Sequence, residues 1–237
     1  MDNHFSNPDF SQKQLDISQN VSVYLTKVYN WMAIALLVTG LVAYFTAGSE
    51  QLLQAIYGNR ILFFGIIIAE IALVGYISAR IHKLTTTTAI SLFLLYSILN
   101  GLTMSFIFMA YTSASISSTF IITAGTFGAM SVYGYFTKQD LTKVGNIAFM
   151  GLIGVIIASI VNMFMESSTM YWVITYLGVI IFVALTAYDT QKLKRIAANG
   201  FQNEENMEKS AILGALTLYL DFINLFLFLL RIFGSRK

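Results

Sequence analysis

The chain has 237 residues, of which 57% are hydrophobic and 11% are charged, and its formal net charge is +2. Soluble domains contain roughly 25% charged residues, so this composition indicates a polytopic membrane protein. The sequence has no cysteine, and its only histidines are His4 and His82. Disulfides, thiol catalysis and a three-histidine metal site are therefore excluded.

The amino-terminal segment is polar, and we expect residues 1 to 24 to form a cytoplasmic tail that is disordered or lies at the membrane interface. It has no basic start followed by an apolar core, so no cleavable signal peptide is expected. No soluble insert interrupts the rest of the chain. Residues 25 to 237 are therefore predicted to form one all-α membrane domain.

Seven apolar runs follow the tail, each about 20 residues or longer, which is enough to cross ~30 Å of hydrocarbon as a helix. The sequence QKLKR after the sixth run is compatible with a longer helix there. The runs cover residues 28 to 47, 60 to 79, 87 to 110, 117 to 136, 144 to 165, 170 to 189 and 210 to 234.

The basic residues of the connections predict the orientation. Most Lys and Arg residues follow the second, fourth and sixth runs, which the positive-inside rule makes cytoplasmic together with the amino terminus. A full seventh span then leaves Arg231, Arg236 and Lys237 on the opposite side, against that rule. The alternative is a re-entrant hairpin, but the unbroken apolar run favours seven spans.

The last two runs each carry small and polar residues at steps of three and four, which places them on one helical face. An ionisable residue inside a span is costly and is a functional candidate by default. On the sixth run the face comprises Thr175, Gly178, Phe182, Thr186 and Asp189. On the seventh it comprises Ser210, Gly214, Thr217, Asp221, Asn224, Phe228 and Arg231.

Asp189 and Asp221 are therefore predicted to meet between the last two helices. Two carboxyl groups at hydrogen-bonding distance in a low dielectric should share one proton. Deprotonated, they could hold Ca²⁺ through oxygen ligands, with Arg80 as a latch that competes with the ion. The alternative keeps them apart, with Asp189 at the cytoplasmic surface and Asp221 hydrogen-bonded in the core.

The depth of the two residues is a difficulty for the pair. A helix that begins at Ser210 places Asp221 ~16 Å inside the membrane, whereas Asp189 lies only a few residues before a basic segment. The two side chains can meet only if the last helix begins beyond the membrane rim or the site is recessed.

Other polar and small residues in the spans are weaker candidates. Glu70 is either a neutral acid bonded to a neighbouring helix or part of a transport pathway with Asn224. Four glycines are expected to permit close helix contacts, namely Gly125, Gly128, Gly151 and Gly154.

An aspartyl intramembrane protease is the one enzyme class that two membrane aspartates could suggest. Tyr188 and Asp189 resemble its first motif, but its second motif requires GxGD, and LYL precedes Asp221 here. We therefore expect that the protein is not an enzyme.

Two segments carry a family resemblance. The sequences ALTAYDTQKLKRIA and GALTLYLDFINLFLFLLRIFG, with the number of spans and the short loops, resemble the Bax inhibitor family, also called the transmembrane Bax inhibitor motif family. The resemblance covers essentially the whole chain and suggests a bacterial inner-membrane member. It implies a seven-helix bundle in which the other six helices surround the last.

The resemblance also implies a function. It suggests a pH-sensitive Ca²⁺ leak in the lipid bilayer, with Asp189 and Asp221 as the sensor and Arg80 as the latch. Calcium or protons would be its ligands, with no cofactor and no nucleic acid. Some bacterial relatives are instead thought to bind and restrain a membrane protease, so a regulatory membrane protein is the alternative.

Overall fold

A computed structural model describes the backbone of residues 8–237 and the side chains from residue 17 onward. In this part of the chain the regular elements are nine α-helices, one 3-10 turn (Ile81–Lys83) and an isolated antiparallel bridge between Tyr111 and Arg236. The helices are α1 (Pro8–Ala47), α2 (Glu50–Gly58), α3 (Arg60–Arg80), α4 (Thr86–Met104), α5 (Phe106–Ala110), α6 (Ser113–Phe136), α7 (Thr142–Met165), α8 (Ser168–Ala198) and α9 (Glu204–Phe233).

Seven helical segments of the described residues are long and apolar enough to cross a membrane. They are α1, α3, α4 with α5, α6, α7, α8 and α9. The all-α membrane architecture predicted from composition and periodicity is therefore confirmed.

The predicted tail differs from the structure beyond its first residues. Residues 1 to 7 lie outside the described part of the chain, but α1 already begins at Pro8. Val21 and Tyr24, inside the predicted tail, are buried in the core, and the Tyr24 hydroxyl donates to the Ser210 carbonyl oxygen at 3.2 Å. The packed domain thus begins before residue 25.

The third predicted span is interrupted at Ser105, between α4 and α5. The Tyr57 hydroxyl, on the connecting helix α2, lies 3.0 Å from the Ser105 hydroxyl and accepts from the Phe106 amide at 3.1 Å. A side chain from another helix thus satisfies the backbone that the break exposes, as a membrane interior requires.

Helices α8 and α9 are both longer than their apolar runs. Helix α8 continues through QKLKR to Ala198, and α9 begins at Glu204, where the Asn203 side chain caps it by accepting from the Asn206 amide. Helix α9 is continuous over 30 residues, or ~45 Å, so the hairpin alternative is wrong.

Helix α9 is the most buried span, with 61% of its apolar window inside the bundle against at most 39% in the other described spans. It contacts α1, α4, α6 and α8. Helix α7 packs mainly against α8. Of the six helices expected around α9, those that pack most closely against it are therefore α1, α4, α6 and α8.

Glycines do permit close helix contacts, but not at three of the four predicted positions. Among the described residues, no atom of a neighbouring helix lies within 4 Å of where a Cβ would stand at Gly125, Gly128 or Gly154. The tight contacts are elsewhere: a Cβ at Gly134 would overlap the Ala187 carbonyl oxygen, and one at Gly145 would overlap the Tyr188 ring. Both lie against α8, which the sequence periodicity did not identify as their partner.

A single methyl group on α6 should test this packing. Gly134→Ala is expected to destabilise the protein by about 1–3 kcal/mol, because the backbone of α8 cannot move away from the added carbon without loss of packing. Gly125→Ala, on the same helix but without a neighbour, is the matched control. In thermal unfolding in detergent, the midpoint temperature should be lower than that of wild type only for Gly134→Ala. Equal midpoints for the two variants would contradict the contact.

Candidate functional site

Asp189 on α8 and Asp221 on α9 lie within hydrogen-bonding reach of each other. Both side chains are buried, with 8% and 5% of their surface exposed. The Oδ2 atom of Asp221 has no hydrogen-bond partner among the described residues. A proton between the two carboxyl groups would supply the donor that this buried geometry otherwise lacks.

The register of the two antiparallel helices brings the aspartates together. On one side of the pair, the Phe228 ring packs directly over Gly178, where a side chain would collide with it. On the other side, Leu193 packs against Gly214. Small residues on the two polar faces thus set the register, and the early start of α9 removes the difference in depth.

A cavity of about 590 Å³ lies between α7, α8 and α9, and both aspartates line it. Thr217, Asn224 and Ser159 add polar groups to its wall, and the remaining lining is apolar. The Asn224 amide nitrogen donates to the Leu220 carbonyl oxygen at 2.8 Å. Its carbonyl oxygen is therefore the group that it could offer to a cation.

The site offers few ligands to a resident metal ion. No group of three or more His, Cys, Asp and Glu residues that could hold a metal ion occurs in the described part of the chain. Calcium ordinarily takes six to eight oxygen ligands. Two carboxyl groups and an amide oxygen suit an ion that keeps most of its water.

The predicted latch, Arg80, is not among the residues that line this cavity. It is exposed at the end of α3, which packs against α2, α4 and α9. The cation that acts on Asp189 is instead Lys192, three residues further along α8. The sequence analysis missed Lys192, although the spacing of three on one helix was a signal for it.

Glu70, the third acidic residue of the spans, belongs to a separate polar network. Its carboxylate accepts from the Thr103 hydroxyl at 2.9 Å and from the Asn100 amide at 3.4 Å, both on α4. The Tyr219 hydroxyl donates to the Asn100 carbonyl oxygen at 2.9 Å and lies 2.6 Å from the Thr39 hydroxyl. One network thus joins α3, α4, α9 and α1.

No periodicity within one helix could have identified this network, because it takes one or two polar residues from each of four helices. The expectation that Glu70 bonds to a neighbouring helix agrees with its two hydrogen bonds to α4. The structure does not bring Glu70 to the aspartate pair: it is absent from the cavity lining, and its partners lie on α4.

The basic connections gather at the α8 carboxyl-terminal end of the bundle. Arg195 pairs with Asp140 at 2.7 Å, and Lys194 donates to the Tyr135 carbonyl oxygen at 2.6 Å. Hydrogen bonds from Thr142, together with the Arg195 guanidinium, hold the pKa of Asp140 well below its usual range. The loop between α6 and α7 is thereby tied to the end of α8.

Comparison with known proteins identifies relatives along nearly the whole chain. The protein family described as "Inhibitor of apoptosis-promoting Bax1" matches residues 21–237. The inner membrane protein YbhL of Escherichia coli K12 is 53% identical over 218 residues, which cover 92% of this chain and 93% of that protein.

Two further relatives carry no functional name. An uncharacterized protein of Borreliella burgdorferi is 48% identical over 214 residues, covering 90% of this chain and 92% of the relative. The uncharacterized protein RP147 of Rickettsia prowazekii is 41% identical over 231 residues, which cover 96% of this chain and 95% of that protein.

Removal of the Tyr219 hydroxyl should destabilise the fold. Tyr219→Phe leaves Thr39 and Asn100 without their buried partner, which is expected to cost about 1–3 kcal/mol. Tyr176→Phe removes the same atom from a tyrosine of α8 that is 55% exposed, and it serves as the control. Unfolding in detergent measures both, and a Tyr219→Phe protein as stable as wild type would contradict the network.

Proposed function

The chain belongs to the Bax inhibitor family of membrane proteins, and from that premise we propose that it is a pH-sensitive cation leak gated by the protonation of Asp189 and Asp221. The observation that carries the proposal is the buried pair of carboxyl groups at the wall of a cavity between α7, α8 and α9. The seven apolar segments and the relation to YbhL support a multi-pass inner-membrane protein.

The first step of the proposed mechanism is the protonation of the pair. Two carboxylates at hydrogen-bonding distance in a low-dielectric site repel each other strongly. One shared proton removes the repulsion and turns it into a hydrogen bond between α8 and α9. Loss of that proton replaces an attraction between the two helices by a repulsion.

The second step is the entry of a cation. The doubly charged pair lowers the electrostatic cost of a divalent ion in the cavity, and the Asn224 carbonyl oxygen adds a neutral ligand. Calcium is the ion that this ligand chemistry suits best. Protein oxygens would replace only part of its water shell, so the ion would bind weakly enough to leave again.

Lys192 is the proposed competitor of the ion. Its ammonium acts on Asp189 from the next turn of α8, whereas Arg80 sits on α3, outside the lining of the cavity. The Lys192 side chain is exposed and flexible, so it could approach Asp189 when the pair is charged. The gate would thus be set by the contest between a proton, an ammonium group and a divalent cation.

We also propose the orientation. The connections after α3, α6 and α8 hold most of the loop cations, so these ends would be cytoplasmic, together with the amino terminus. The carboxyl terminus would then lie on the opposite side of the membrane.

Replacement of either aspartate should abolish the pH response of the leak. Wild-type protein in liposomes loaded with a calcium-sensitive dye is expected to pass Ca²⁺ faster at pH 8 than at pH 6, because the proposed gate admits the cation when the pair has lost its proton. In Asp221→Asn and Asp189→Asn the pair cannot become doubly charged, so the ratio of the two rates should fall to about one.

Asp140→Asn is the matched control, because it removes an exposed carboxylate from the same protein, at the bundle end and outside the cavity. It should keep the wild-type ratio. A pH response that survives both pair substitutions would exclude the gate. A wild-type protein that passes no Ca²⁺ at either pH would exclude the leak itself.

A regulatory membrane protein is the second candidate function, and the length of α1 favours it. Helix α1 has 40 residues, or ~60 Å, about twice the hydrocarbon thickness, and its first nine residues have the largely polar sequence PDFSQKQLD. The helix therefore continues beyond the apolar segment as a polar arm. Such an arm could bind another membrane protein, for example a quality-control protease.

Deletion of residues 2–16 separates the two functions, because it removes the polar arm and leaves Val21 and Tyr24 in the core. Under the leak proposal, Ca²⁺ flux in liposomes should be unchanged by the deletion. Under the regulatory proposal, a membrane protease that co-purifies with the full chain should be lost. Failure of any other membrane protein to co-purify with the full chain would exclude the second candidate.

A further inference from the structure

The carboxyl-terminal segment folds back onto the bundle and is fixed there by backbone hydrogen bonds. Helix α9 ends at Phe233, and the Thr112 amide donates to the Ser235 carbonyl oxygen at 3.1 Å. The Lys237 amide donates to the Ala110 carbonyl oxygen, also at 3.1 Å. Arg236 lies between these two contacts and is therefore held against the connection between α5 and α6.

Two guanidinium groups meet at one tyrosine in this region. The Arg231 guanidinium lies 5.4 Å from the centre of the Tyr171 ring and 5.1 Å from that of Phe228. The Arg236 guanidinium lies beside Tyr111 and the same Tyr171, and these two tyrosines raise the pKa of Arg236. Both side chains are thus oriented by aromatic residues and stay positively charged.

No carboxylate balances these two charges closely. The four ion pairs found within 4.0 Å among the described residues join other side chains, namely Lys27 with Glu204 and Glu208, Arg195 with Asp140, and Lys209 with Glu205. Glu166 lines the same cavity, but it is exposed and forms no ion pair within that distance in the described part of the chain.

The two arginines line a cavity of about 590 Å³ that is open at the end of the bundle opposite to the basic connections. The amino terminus of α8 opens into it at Ser168, after the capping residue Ser167. The first amides of a helix and its dipole favour negative charge. Two arginines and a long helix of 31 residues therefore direct positive potential into one cavity.

We propose that this cavity binds a phosphate group, supplied either by the headgroup of an anionic phospholipid or by a free phosphate. Guanidinium groups bind phosphate oxygens through paired hydrogen bonds, which makes arginine suited to this group. Tyr171 and Trp172 line the cavity where the spans end, at the level where aromatic residues meet lipid headgroups. The site lies apart from the aspartate pair and does not depend on the leak.

The proposal also accounts for the basic carboxyl terminus, which contradicts the positive-inside rule. A cation that is used to hold a phosphate does not act as a free topological signal. Arg231 is an integral part of α9, and its charge is covered by aromatic rings on one side and available to the cavity on the other.

Two binding assays on the full chain distinguish the sources of the phosphate. Native mass spectrometry of detergent-purified protein measures retained phosphatidylglycerol against retained phosphatidylcholine. Titration with inorganic phosphate, followed by the fluorescence of Trp172 in a Trp31→Phe background, measures the free anion. The double substitution Arg231→Gln with Arg236→Gln should weaken binding of the lipid or of inorganic phosphate, whichever the wild-type protein binds, by about tenfold or more. The reason is the loss of two charge-assisted contacts.

Two control variants accompany the arginine variant. One removes positive charge far from the cavity, and the other removes a negative charge from the cavity itself. Lys83→Gln with Lys138→Gln removes two exposed charges from the other end of the bundle and should leave binding unchanged. Glu166→Gln removes the repelling carboxylate and should strengthen binding about twofold or more. This variant also tests the site if the double arginine variant does not fold.

The outcomes separate cleanly. Selective retention of phosphatidylglycerol that depends on the arginines supports a lipid site, and saturable quenching by inorganic phosphate alone supports a free-anion site. Binding that is equal in wild type, the arginine variant and Glu166→Gln overturns the proposal. Equal losses in the arginine and the lysine variants overturn it as well, because they indicate a general charge effect.

Discussion

The cost of a carboxyl group in hydrocarbon is the constraint on which the rest of the structure depends. Asp221 stands in the mainly apolar part of α9, and an ionisable residue there costs about 2.5–3.5 kcal/mol if lipid surrounds it. The bundle removes that contact by placing α9 inside α1, α4, α6 and α8. The side of α9 that carries Asp221 faces a second carboxyl group and a cavity between α7, α8 and α9.

Helix α9 holds two polar systems that differ in kind. Asp221 meets Asp189 beside a cavity, and one of its oxygens lacks a hydrogen-bond partner among the described residues. Tyr219, two residues earlier, is fully buried and bonded on two sides. The first arrangement is suited to change and the second to rigidity.

The two ends of the bundle also differ in how they treat positive charge. At the α8 carboxyl-terminal end, lysines and arginines are exposed or tied to loops, as in the pair of Arg195 with Asp140. At the opposite end, Arg231 and Arg236 are fewer but are oriented by Tyr171 into one cavity. Under the proposed orientation and the proposed phosphate site, charge would set the topology at one end and form a binding surface at the other.

The sequence by itself determined the seven apolar segments, their order and the two polar faces, because hydropathy and helical periodicity are local properties of the chain. Only the tertiary structure decided which glycines meet a neighbour, that the charge of Lys192 rather than Arg80 acts on Asp189, and that Glu70 is linked to Tyr219 through Asn100. Those contacts depend on the rotation and register of packed helices. In a bundle of such apolar helices, several rotations bury similar area, and only the fit of side chains between helices selects one of them.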